Sequence, residues 1–438
     1  MKKVTSWGRN KFIKTNFLEP ETKEELRILI KKQKSFIPYG NGRSYGDVCL
    51  NRKNLISTKK LNKIIYYDKK KGEIEVESGL LVSDLLPIIL GDNFFLPVTS
   101  GTKFVTIGGM VANNIHGKNI KNNYFSDYII SLKVFNVQGS LIHCSKKKNN
   151  NLFNLTVGGI GLTGVIYSIR FKLKKISSSK LEKKNIFFNK LNNLDNIENF
   201  NSNFDYSVTW LDSFSSQENI KGIHFFTKHI KKKNEKIIFK VKKKKVNLFH
   251  RYLFKLFNNF YLYRFVNYFF YLSHLINLKK STDLENFFYV QDKYIDWNKI
   301  YGKKGMIEFH ILVPKKLIIE FLKDFFFFCR THKIFSNLIV LKRLKYKKKY
   351  INFGGDGVSF SADFSINSKF NLIKKFFINK QKKYSYNFYY AKDSIISKKN
   401  LIGDKQFFLF KNKIKKINKK IKINSILSDR IGVTKWKK

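Results

Sequence analysis

Two glycine-punctuated segments carry the residue types that hold a phosphate-rich ligand. The first runs Ile37-Pro-Tyr-Gly-Asn-Gly-Arg-Ser-Tyr-Gly-Asp47; the second runs Ser100-Gly-Thr-Lys-Phe-Val-Thr-Ile-Gly-Gly-Met-Val-Ala-Asn-Asn-Ile-His-Gly-Lys-Asn119. Glycine lets backbone N–H groups approach a ligand with no Cβ in the way, and it supplies positive φ where a loop curls. Successive N–H groups in such a loop make an anion-binding concavity suited to a pyrophosphate. With Arg43 on one loop and His116 on the other, the pair implies a dinucleotide held between them. The order Gly40-x-Gly42-x-x-x-Gly46 differs from the Gly-x-Gly-x-x-Gly turn that follows a strand and opens a helix. Residues 47–54 show no apolar 3.6-residue period, so no helix N-terminus is expected there.

Further motifs follow in order: Ser6-Trp-Gly-Arg9, Gly158-Gly-Ile-Gly-Leu-Thr-Gly164, Trp297-Asn298 with Tyr301-Gly302, Tyr389-Tyr-Ala-Lys-Asp-Ser394, and Ser428-Asp429. Together with the two loops, they resemble the vanillyl-alcohol oxidase / p-cresol methylhydroxylase (PCMH-type) class of FAD-binding oxidoreductases. Within that class the pattern is most similar to the decaprenylphosphoryl-ribose 2-oxidases, which begin the epimerisation of a polyprenyl-phosphate-linked ribose to arabinose. The resemblance implies an α+β fold in three stretches. A two-subdomain PCMH-type FAD-binding domain spans 1–178, a substrate-binding cap with an antiparallel sheet spans 179–386, and 387–438 returns to the first domain.

The resemblance also implies roles. Pro38, Tyr39, Gly40, Asn41, Gly42, Arg43, Ser44, Tyr45, Gly46 and Asp47 are expected on one side of the FAD. Gly101, Thr102, Thr106, Ile107, Gly108, Gly109, Asn113, Asn114, Ile115, His116 and Gly117 are expected on the other, with Ile166 near the adenine half and Tyr389 against the flavin. Relatives that bond the flavin covalently use a His at the start of the first loop; Arg43 stands there, so the FAD is expected to be non-covalent. Lys392 is the expected catalytic cation, stabilising charge on the reduced flavin, and His116 the second catalytic residue. Lys342, His310, Ser361, Asp363 and Phe288 match substrate-facing positions. Ser361 stands where mycobacterial members carry a cysteine, and Phe288 replaces a pocket tyrosine. No metal is implied.

The implied activity is oxidation of a sugar hydroxyl to a ketone by hydride transfer to flavin N5, on the 2-OH of a polyprenylphosphoryl ribose, with a short-chain reductase as partner. Two alternatives stay open: an aldonolactone oxidase, and a basic peripheral membrane or nucleic-acid-binding protein without turnover.

Composition adds bounds. The 438 residues suit two or three domains, and a 43% hydrophobic content permits a sizeable core. The formal net charge of +55 raises anionic partners. Lysine, Asn, Ile and Phe are inflated together while Pro is scarce, the pattern of an A/T-biased coding sequence, so no specific nucleic acid is expected. Cys49, Cys144 and Cys329 have no C-x-x-C spacing, consistent with a reducing compartment. The N-terminus lacks an apolar leader region and no run of about eighteen apolar residues occurs, so no signal peptide or spanning helix is expected. The expected location is cytoplasmic, with peripheral contact on the inner face of the membrane.

Periodicity predicts helices over Glu21–Lys32, Leu80–Leu90 and Lys315–Lys333. It predicts short strands at Ser35–Tyr39, Ile64–Tyr67, Glu73–Glu77, Ile129–Val137, Leu141–Cys144, Gly164–Leu173, Tyr206–Leu211, Gly222–Phe226, Met306–Val313 and Val358–Phe364. The polar stretch Ile176–Asn203 reads as a crossing between domains. Lys231–Lys245 is strongly basic, and Leu248–Leu278 is dense in Phe, Tyr and Leu with no acidic residue. Aromatic bodies with basic heads suit a helix lying in an anionic membrane interface.

Overall fold

Along Met306–Pro314, Ile307, Phe309, Ile311 and Val313 fall on one side of the strand and Glu308 and His310 on the other. Successive strand residues point to opposite faces, so the segment is apolar on one side and ionisable on the other. The computed structural model describes residues 1–190, 203–232, 237, 239, 244–277, 279–418 and 420–435. In it this strand belongs to an eight-stranded sheet whose neighbours are all antiparallel. The order is Ser281–Asp283, Lys180–Phe188, Gly222–His229, Tyr206–Leu211, Leu338–Tyr346, Gly355–Ser365, Met306–Pro314 and Asn387–Phe388.

Helices Ile318–Thr331 and Phe370–Tyr384 cover one face of this sheet. Phe321, Phe325, Phe360, Phe364, Phe376 and Phe377 are buried there, and the Phe309 and Phe377 rings stack with centroids 4.1 Å apart. Each such side chain contributes roughly 1.5–3 kcal/mol on burial, which fixes the sheet's orientation and turns its other face toward the rest of the chain.

Among the described residues the remainder builds two smaller sheets and a two-stranded pair of Phe94–Phe95 with Lys174–Lys175. Lys2–Thr5, Phe12–Leu18, Asn54–Ser57 and Ile37–Tyr39 lie side by side in that order, the last two contacts parallel. Ile64–Asp68, Glu73–Glu77, Val165–Lys172, Ile129–Phe135 and Leu141–Ser145 form an antiparallel sheet. Helix Val82–Gly91 packs Leu85, Leu86 and Ile89 into the second core. The fold is α+β, as the resemblance implied. Among the described residues, no helix is long and apolar enough to cross a membrane.

Two local expectations differ from the structure. The polar stretch Ile176–Asn203 contains the strand Lys180–Phe188, with Leu181 and Phe188 buried and Lys180 and Lys184 exposed. Its lysine content hid the period, and residues 191–202 lie outside the described residues. Thr106-Ile-Gly-Gly, read as loop, opens the helix Ile107–Ala112. The Thr106 hydroxyl accepts the Gly109 N–H at 3.1 Å, and burial of Ile107, Met110 and Val111 outweighs the weak helix propensity of two glycines.

The C-terminal segment is tied to the first. The Phe36 N–H donates to the Lys422 carbonyl and the Asn424 N–H to the Phe36 carbonyl. Arg430 reaches both Asp47 (2.7 Å) and Asp393 (3.0 Å), two carboxylates that are almost wholly buried. Removing one partner of a buried ion pair typically costs about 3–5 kcal/mol. Arg430→Met is therefore expected to lower the urea midpoint by an equivalent amount; an unchanged midpoint would contradict the clamp.

Candidate active site

The uncovered face of the large sheet and the two glycine-rich segments enclose a cavity of about 1010 Å³. A small-ligand pocket typically measures roughly 300–1,000 Å³, so a dinucleotide and a second molecule can share this one. At one end, Pro38 through Tyr45 face Gly101, Thr102, Thr106, Gly108, Gly109 and Asn113. The segments are laced together. Asn41 Nδ2 donates to the Phe104 carbonyl at 2.7 Å, and a Cβ on Gly40 would collide with the Thr106 hydroxyl. Only glycine fits that position.

Four polar atoms around this cavity are left without partners. The Arg43 guanidinium stacks on Trp7, 3.8 Å from the ring centroid, and its buried Nε has no hydrogen-bond partner. Burial lowers the Arg43 pKa to about 10, which still leaves a cation at neutral pH. Ser78 Oγ, Asn113 Oδ1 and His116 Nδ1 are likewise buried and unpartnered. Buried polar groups are nearly always satisfied. The residues that carry these atoms line the glycine-rich cradle, whose polar lining fits a bound dinucleotide.

At the other end, Lys392 occupies the turn after the edge strand Asn387–Phe388. Its Nζ donates to Glu308 Oε2 at 2.9 Å and lies 3.1 Å from the centroid of the Tyr45 ring. Glu308 Oε1 meets His310 Nδ1 at 2.9 Å, and His310 Nε2 meets Ser359 Oγ at 2.8 Å. Asp363 stands directly opposite Glu308 in the strand register. Burial opposes ionisation of Glu308, but Lys392 and His310 outweigh it and hold the carboxyl down to about 2. Burial, reinforced by the Glu308 charge, raises Asp363 well above the usual carboxylate range. The pair therefore holds one proton, on Asp363.

His116 completes this end of the cavity. Its ring lies 5.0 Å from His310, 5.2 Å from Phe353 and 5.2 Å from Tyr389. Burial, then the nearby Lys342, His310 and Lys392, push its pKa well below the ordinary value, so the imidazole is neutral. The Tyr389 hydroxyl donates to the Asn113 carbonyl at 3.2 Å, joining the catalytic end to the glycine-rich end.

Residues 16–145 match the family model described as FAD binding domain. The chain carries an FAD-binding domain. With the relatives below, it is an FAD-dependent oxidoreductase. It is 25% identical over 340 residues to decaprenylphosphoryl-beta-D-ribose oxidase of Mycolicibacterium smegmatis, covering 73% of each chain. It is 26% identical over 149 residues to L-gulonolactone oxidase of Mus musculus, 34% of each chain. A third relative is mitochondrial L-galactono-1,4-lactone dehydrogenase of Arabidopsis thaliana, 26% identical over 171 residues, 38% of this chain and 28% of that protein.

The FAD-binding domain and the sheet bring most of the sequence-selected residues to one cavity. Ile115, His116, Ile166, Tyr389, Lys392, Lys342, His310, Ser361, Asp363 and Phe288 all line it, with Pro38 through Tyr45 and the second-loop positions named above. Five do not, and those readings are corrected. Asp47 gives its carboxylate to Lys11 and Arg430. Gly46 is pressed against the Asp393 backbone. The Ile107 side chain is core, the Asn114 Oδ1 accepts the Ser126 N–H, and Gly117 backs onto Asn119 and Val98. These residues shape the loops from behind.

Glu308 and Lys118 were not foreseen. The period of two that placed His310 inward places Glu308 beside it, so the signal for Glu308 was present. Lys118, two residues after His116 in the second glycine-rich segment, also lines the cavity, where its ammonium bonds the Phe287 carbonyl. Burial, with Lys342 adding to it, pushes Lys118 down to about 7.

Burial also pushes Lys342 down to about 8, against the attraction of Glu308. The unfolded chain then binds more protons than the native one between about pH 8 and the ordinary value of 10.5, so this cost is present below 8 and disappears as pH rises. Lys342→Met is expected to be more stable than the wild type at about pH 7 by roughly 1–3 kcal/mol, with the difference shrinking near pH 10. Urea unfolding of both proteins at the two pH values checks this; a difference that grows with pH would be the wrong sign.

Proposed function

We propose that the chain oxidises a sugar hydroxyl to a ketone, with the 2-hydroxyl of a polyprenylphosphoryl ribose as preferred substrate. FAD, when bound, supplies the two-electron acceptor. The observation that carries this reading is the Lys392–Glu308–His310 array beside a neutral His116, at the junction of the glycine-rich cradle and the sheet. Held by Glu308 and resting on the Tyr45 ring, the Lys392 ammonium is fixed where negative charge develops, which costs no reorganisation at the moment of reaction. A neutral His116 imidazole lining the cavity is suited to take the hydroxyl proton as the C–H bond breaks. Lys342 and Lys118 raise the positive potential on the substrate side, suiting a phosphate-bearing sugar, while Ser361 and Phe288 shape the sugar end.

The likeness to the ribose oxidase over 73% of both chains favours this substrate over a lactone, because the lactone-oxidising relatives align over little more than a third of this chain. Arg43 in the first loop supports a non-covalent FAD, a guanidinium being no nucleophile toward the flavin. A separate short-chain reductase would return the ketone to the epimeric alcohol in cell-envelope biosynthesis.

Anaerobic mixing of the holoprotein with a polyprenylphosphoryl ribose is expected to bleach the flavin absorbance much faster than mixing with L-gulono-1,4-lactone. The opposite order would make the protein a lactone oxidase. Lys392→Ala should keep its flavin yet slow that bleaching by about 100-fold or more; wild-type rates would remove Lys392 from the reaction. Acid precipitation should leave a colourless pellet and all of the flavin in solution, whereas a yellow pellet would mean a covalent bond.

A further inference from the structure

One surface of the molecule is not explained by packing. Leu248–Phe257 and Phe260–Ile276 form two consecutive helices, capped by Asn247 and Asn259. Phe249, Tyr252 and Leu256 project from the first, and Tyr261, Phe265, Tyr268, Phe269 and Ile276 from the second. Phe249 is 64% exposed, Phe265 59%, Phe269 62% and Ile276 68%. Their spacing of three and four residues puts them along one side of each helix. Inward, Phe270 packs on Trp210 with ring centroids 4.8 Å apart, and Tyr263 stacks on Phe335. The helices are thus anchored to the sheet while their outer side stays apolar. A soluble surface rarely leaves so continuous an apolar patch without a partner.

Charge identifies that partner. From Lys244 to Asn277 there is no acidic residue, while Arg251, Lys255 and Arg264 are exposed among the aromatic rings. Elsewhere on the chain, several lysines are paired with carboxylates. Aromatic bodies interleaved with exposed long cations match the interface of an anionic bilayer, where rings sit at headgroup level and basic side chains reach phosphates.

The patch is continuous with the cavity. Phe270, His274 and Asn277, from the second helix and its end, line the cavity together with Lys183 and Lys279. We propose that the helix pair Leu248–Ile276 docks the protein on an anionic lipid surface, with the cavity mouth at headgroup level. An amphiphile then passes from the bilayer to the site along Phe270 and His274, its anionic head drawn by Lys183 and Lys279. Burial, with Lys279 adding to it, lowers Lys183 from its ordinary value.

Co-sedimentation of the holoprotein with phosphatidylcholine vesicles, and with vesicles containing phosphatidylglycerol as well, tests this without any turnover. Failure of the proposed sugar chemistry would therefore leave the result unaffected. The wild type is expected to sediment with the anionic vesicles and stay largely in solution with the neutral ones. The double variant F249E/F269E should lose at least ten-fold in bound fraction, while R251E/R264E should lose binding to the anionic vesicles alone. Flavin absorbance of each variant verifies that it folds. Wild-type protein that ignores both vesicle types overturns the proposal, as does equal binding to both. Self-association that the aromatic variant abolishes, with no vesicle binding, would assign the patch to a second copy of the chain and overturn it too.

Discussion

The contact of Lys392 with Glu308 on one side and Tyr45 on the other is where the large sheet and the first glycine-rich loop meet chemically. Lys392 comes from a turn near the C-terminal end of the large sheet, Glu308 from a strand inside it, and Tyr45 from the first glycine-rich loop. An ion pair this buried contributes little net stability by itself, because desolvation offsets much of the Coulombic gain. Its value here is directional. Glu308 holds the ammonium against the cavity, orients the His310 imidazole through its other oxygen, and forces Asp363 opposite to keep its proton. One carboxylate thereby positions Lys392 and His310 and adds to the effect of burial on Asp363.

Such an array stays in place only on a rigid support. The far side of the sheet supplies it: the phenylalanines of Met306–Pro314, Gly355–Ser365 and the two covering helices interlock in a single core. Because the side-chain period of a strand is two, each apolar residue that locks the core fixes the orientation of an ionisable neighbour toward the cavity. Packing and chemistry are thus written in alternate residues of the same strands. A slip of one position would exchange them, burying Glu308 among phenylalanines.

Surface charge divides into two kinds. Much of the excess of lysine is spread over strands and loops and reflects composition. The cations of the helix pair sit among exposed aromatic rings, and Lys183 and Lys279 line the cavity mouth. Location, rather than total charge, separates a solvated surface from a recognition surface.

The two glycine-rich loops, the α+β class and the strand periods of the larger sheet were legible because they depend on local chemistry: where a Cβ is tolerated, and which face of a strand is apolar. Lys392 was legible only through its surrounding motif, since nothing distinguishes one lysine from another in so basic a chain. The strand Lys180–Phe188 was hidden because lysine occupies its solvent side, and the helix Ile107–Ala112 because glycine argues against helix until tertiary burial outweighs it. Asp47 illustrates the converse: its loop pointed to the cofactor, yet Arg430, 383 residues away in sequence, claims its carboxylate. The sequence alone determined which residues could bind phosphate, carry charge or fill a core. The tertiary structure alone decided which of them share a cavity, because ion pairs and burial depend on distances in space that no local pattern encodes.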